Sequence, residues 1–185
     1  MPVLVEWKKV KRDWPEFLQT LQDTRLEASS MAKQAWGLDD GGFFPSSKQF
    51  GETPIRPRFF SNFGTTTARE TWNRNLSTAG WQDVINTTVI EDVYLGIIGF
   101  VLPNNVNKIA ALRIEAGDQK LPVVNLEGEV DVMEEPIVVF DKGLVIPEDT
   151  QLLVRAYAIS AGYQVIKPFG FALAKQKVLI SESPS

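Results

Sequence analysis

The sequence predicts a mainly β protein, a sandwich of about eight strands preceded by one helix and an extended arm. Three observations predict it. Tyr94–Leu102 is the most apolar run in the chain, uncharged and closed by Pro103-Asn104-Asn105. It is too short to cross a bilayer as a helix. Its two glycines among β-branched and aromatic side chains fit a strand buried on both faces. From about residue 67 onward, short apolar segments alternate with turn signals and no helical period intervenes. Before that point a single stretch carries helical spacing.

That stretch opens at Asp13-Trp14-Pro15-Glu16, where Asp13 can cap, Pro15 suits the first turn and Glu16 completes a capping box. Phe17, Leu21, Ala28, Met31, Ala32 and Ala35 then recur at helical spacing, and Gly37 stops the run. The helix is expected over 14–36. Its narrow, alanine-rich face calls for close packing, against the sandwich or a neighbouring subunit.

Residues 37–66 are broken too often by Gly, Pro and Asp for long regular elements, yet carry Phe43, Phe44, Phe50, Phe59, Phe60 and Phe63. A solvated linker would be poor in such rings, so they must be buried on their own domain or on another chain. All five tryptophans (Trp7, Trp14, Trp36, Trp72, Trp81) lie in the first 81 residues, and large aromatics are favoured at interface hot spots. Trp7, Trp14, Trp36, Phe43, Phe44, Phe59 and Phe60 are therefore the expected subunit-interface residues.

Strands are expected at Ala68–Leu76, Gln82–Ile90, Tyr94–Leu102, Ile109–Glu115, Lys120–Leu126, Glu129–Met133, Pro136–Phe140, Gln151–Ile159 and Tyr163–Leu173, with Lys175–Ile180 a candidate last strand. Ala116-Gly117-Asp118-Gln119 is a hairpin signal and Asp141-Lys142-Gly143 a turn. The chain divides into a helix and aromatic-rich arm (1–66), a jelly-roll-like sandwich (67–180) and a tail (181–185).

The 185 residues hold neither cysteine nor histidine. Disulfides, zinc–thiolate sites and every Ser-His-Asp or Cys-His triad are thereby excluded. The net charge of −4 argues against a nucleic-acid binder that relies on overall positive charge. Charge is unevenly spread: residues 1–75 balance to +2 and residues 76–185 to −6, a mild bias toward association between copies. Lys8, Lys9, Lys11 and Arg12, flanked by Trp7 and Trp14, suit an acidic surface or lipid headgroups, or form a solvated terminal strand. The first residues lack the apolar core of a secretion signal, and no window is long enough for a transmembrane helix.

Three clusters invite chemistry. Glu127, Glu129 and Asp131 alternate and would share one face of a strand, a candidate calcium or magnesium site, a patch for basic residues of another copy, or a solvated face. Asp83, Glu91, Asp92, Glu115 and Asp118 show no spacing that singles out a catalytic pair. Arg155, set among Leu153, Val154, Ala156 and Tyr157, must reach an edge or find a carboxylate, and a structural ion pair is expected.

This plan, clearest over Trp81–Leu173, resembles the small single-jelly-roll coat proteins of icosahedral viruses, including membrane-containing viruses of archaea and bacteria. The β-sandwich decoration proteins of tailed-phage heads are similar to it too. The resemblance is one of plan and assigns no residue a role. It implies a non-enzymatic lattice protein of the virion, made in the host cytoplasm. Its N-terminal arm would touch other copies of itself or a second capsid protein, with no cofactor and no specific nucleic-acid partner. The rival is a carbohydrate-binding sandwich module, with Trp72 and Trp81 as platforms and the 127–135 carboxylates holding an ion.

Overall fold

A computed structural model describes residues 3–6, 14–37, 50–54, 72–77, 79–102, 108–126 and 136–175. The strands are β1 (Val3–Glu6), β2 (Phe50–Pro54), β3 (Trp72–Leu76), β4 (Gly80–Thr88), β5 (Val93–Val101), β6 (Ile109–Ala116), β7 (Gln119–Lys120), β8 (Val124–Asn125), β9 (Pro136–Ile146), β10 (Gln151–Ala158) and β11 (Gly162–Lys175), with the helix α1 (Trp14–Trp36) following β1.

Pairing reveals the topology. β3 pairs β11, β4 pairs β10, β5 pairs β9 and β6 pairs β8, all antiparallel. The first half of the sandwich is thus folded back on the second, strand against strand in reverse order, which is the jelly-roll plan. One sheet runs β1-β9-β5-β11-β2, with β3 also on β11; the other runs β4-β10-β6-β7, with β8 on β6. Between them lies the main core, including Leu95, Ile97, Phe100, Leu112, Ile114, Val138, Leu152 and Val154, all essentially excluded from water. Phe100 and Phe140 meet edge to face at 5.6 Å within it.

Strand β5 is buried along nearly its whole length, whereas β10 alternates buried and open positions. The expectation for the apolar run therefore holds, and its cause is α1. The helix packs across β9, β5 and β11 on the face turned away from the core, so β5 has protein on both sides. Ala28 and Ala32 are fully buried there with Tyr94, Val145, Phe171 and Leu173. Gly37 ends α1 with φ of 61°, the left-handed stop that the sequence signals. Ala35 is exposed, while Thr24 is buried. Thr24 escapes a hydrophobicity pattern because its hydroxyl donates to the Thr20 carbonyl (2.6 Å) and so satisfies itself within the helix.

Two local expectations are corrected. Asp141-Lys142-Gly143 does not end a strand: β9 continues through it. Ile97 pairs Leu144 while Gly99 pairs Val139, so residues 140–143 stand opposite Ile98 alone. The turn-like residues bulge toward α1, and a Cβ on Gly143 would collide with Thr24. Lys120–Leu126 is not one strand but β7 and β8, because Pro122 has no N–H for the ladder. Leu121 and Leu126 still donate to Ile114 and Ala110 of β6. The hairpin at Gly117-Asp118 forms as expected, with Ala116 opposite Gln119 and Gly117 at φ 55°. Strand β2 arises in the stretch read as irregular, and pairs Phe171–Lys175.

Candidate interaction surfaces

The two outer faces of the sandwich are the surfaces on which interactions can be built, and they differ. On the helix-covered face, Gly96 lies beside Phe171 in the β5–β11 ladder, and a side chain there would enter the Phe171 ring. The absent side chain makes room for the phenyl, which packs in one cluster with Ala28 and Ala32 of α1. Glu27 and Lys142 join the helix to the β9 bulge at 3.2 Å across an exposed rim.

The C-terminal end of α1 is held by a half-buried junction. One oxygen of Glu148 accepts a hydrogen bond from the Trp36 indole N–H (3.0 Å), and the other accepts from the Asp92 backbone N–H (2.5 Å). Trp36 also meets Tyr94 edge to face at 5.3 Å. The loops that carry Glu148 and Asp92 are stitched together, since Val89 donates to the Thr150 carbonyl and Asp149 donates back to the Val89 carbonyl. Asp92 and Asp149 both adopt positive φ, which aspartate tolerates better than most residues. Burial, and secondarily the Glu148 charge, push the Tyr94 phenol above its ordinary pKa.

The outer face of β4, β10 and β6 is bare of other elements among the described residues. Its side chains stand in cross-strand rows: Trp81, Tyr157 and Ala111; then Asp83, Arg155 and Arg113; then Asn86, Leu153 and Glu115. Charges in these rows pair with one another. Arg155 Nε donates to Asp83 Oδ1 at 3.0 Å, the ion pair expected of Arg155. Arg113 meets Glu115 at 2.8 Å, with Lys120 at 3.8 Å from the same carboxylate. Gln151 donates to the Asn86 side chain. Trp81 and Tyr157, each 39% exposed, touch edge to face with centroids 5.6 Å apart.

Of the expected interface residues, Trp36 docks on its own sandwich and keeps part of its surface in solvent. Trp14 opens α1, but its side chain lies outside the described residues, as does that of Trp72 in β3. Trp7, Phe43, Phe44, Phe59 and Phe60, the basic Lys8, Lys9, Lys11 and Arg12, and the candidate ion ligands Glu127, Glu129 and Asp131 also fall outside them. Among the described residues no acidic group of three is placed to hold a metal, and no helix is long and apolar enough to cross a membrane. Sequence reasoning passed over Glu148 and Tyr157. Each acts through a partner far along the chain, so no local pattern announces it. Compared with protein families, curated proteins and solved structures, the chain matches none.

Proposed function

We propose that this chain is a structural coat protein that assembles with copies of itself into an icosahedral virion shell. The observation that carries this reading is the reversed strand-by-strand pairing of β3–β6 with β8–β11, a fold with two broad faces and no need of a catalytic pocket. A sequence without histidine or cysteine fits a lattice role better than a nucleophilic enzyme. The N-terminal segment adds β1 beside β9 at one edge and α1 across one face, leaving the arm and part of the other face for neighbours. A second capsid protein is a compatible partner, and a decoration protein of a phage head is a variant of the same role.

Light scattering during size-exclusion chromatography, followed by electron microscopy of the purified chain, tests the proposal. Regular multimers or closed particles are expected. A single monomeric species at every concentration and salt tried would sink it.

A further inference from the structure

We infer that the corner made by Trp81 and Tyr157 binds a hexopyranose unit of a neutral glycan. This is distinct from shell building and does not depend on it. The two rings sit opposite each other on β4 and β10 at a register pair, so the sheet itself holds them together. Their planes are inclined by 77°, giving one ring face as a floor and the other ring as a wall. The next row along the same strands is the Asp83–Arg155 ion pair, with side chains 46% and 35% exposed. A pyranose has the matching surfaces. Its C–H face stacks on an aromatic ring, and its rim of hydroxyls both donates and accepts. Asp83 and Arg155 contact each other through Oδ1 and Nε. Oδ2 can accept from one hydroxyl, and the Nη groups can donate to its neighbour. The two charges cancel, which suits a neutral ligand.

Size decides between a sugar and a protein partner. Fully buried aromatic side chains cover roughly 150–250 Å² each, so two rings at 39% exposure offer about 120–200 Å² in all. Ile159, 51% exposed two residues beyond Tyr157, lengthens the strip. A stable protein interface needs about 800 Å² per partner. The corner matches one or two sugar rings instead. So shallow a site binds weakly alone and gains strength through repetition, as on a multivalent array.

The test titrates the full chain with cellohexaose, chitohexaose and mannohexaose, followed by saturation-transfer NMR. Saturable binding of at least one is expected, with transfer strongest to ring C–H protons. It should weaken at least tenfold in Trp81→Ala and in Tyr157→Ala and stay unchanged in Lys142→Ala, on the opposite face. Asp83→Asn, at an exposed position, keeps the test valid if a ring deletion unfolds the protein, and should also weaken binding. Failure of all three sugars to bind the parent chain overturns the inference. So does binding indifferent to Trp81→Ala and Asp83→Asn, or a Trp81→Ala variant that loses self-association while binding sugar as before. The first two of these results leave the particle assay untouched, and the third would assign the ring pair to contacts between copies instead.

Discussion

The two outer faces of the sandwich show two solutions to the same problem. Beneath α1, the first sheet presents Tyr94, Val145, Phe171 and Leu173, which demand a cover. Glycine and alanine make that cover close: Gly96 admits the Phe171 ring, Gly143 admits Thr24, and Ala28 and Ala32 bring the helix backbone near. The second sheet presents a ring pair and charges that neutralise one another, and such a face is stable in water. The lesson is that the side chains on a sheet, more than its position in the fold, decide whether it recruits another element.

The sharpest way to break the contrast is to remove what the helix covers. Phe171→Ala should cost about 3–5 kcal/mol, measured by urea unfolding, because it leaves a cavity between α1 and β5. Gly96→Val should cost about 1–3 kcal/mol by overpacking, and less when Phe171 is already alanine, since the collision is then gone. Equal costs in both backgrounds would separate Gly96 from the ring.

Next comes the junction. Glu148→Ala removes the carboxylate that accepts from the Trp36 indole N–H and the Asp92 amide and should cost about 1–3 kcal/mol. The Tyr94 phenol provides a second readout. Its folded pKa is raised above the ordinary 10.0, so its contribution to stability is complete below that value and is lost as pH climbs through the folded pKa. Glu148→Gln removes one of the two causes, leaving burial. The phenolate absorbance of Tyr94, taken as a difference from Tyr94→Phe, should then appear at lower pH than in the parent.

On the bare face effects should be small. A double-mutant cycle on Arg155 and Asp83 is expected to give a coupling below about 1 kcal/mol. A value of several kcal/mol would mean that this face is covered in the assembled protein.

Much of this architecture can be read along the chain. The bounds of α1, its glycine stop, the hairpin at Gly117-Asp118 and the doubly buried β5 follow from periodicity and turn chemistry. An ion pair could be expected of Arg155 because an arginine amid apolar neighbours must reach an edge or find a carboxylate, although Asp83, 72 residues away, could not be named. Other features resisted. Asp141-Lys142-Gly143 has the composition of a turn whether it ends a strand or bulges from one. Trp36 shows no local sign of choosing Glu148 over a neighbouring subunit. Trp81 was visible as a platform, but its pairing with Tyr157 needed the β4–β10 register.

The sequence by itself determined the class of the fold, because alternation, breakers and one helical period are properties of neighbouring residues. It also ruled out histidine and thiol chemistry by simple absence. Only the tertiary structure decided which sheet face the helix occupies, which carboxylate holds its end and which two rings stand exposed together. Those choices depend on contacts between residues far apart in the chain, and local patterns do not encode them.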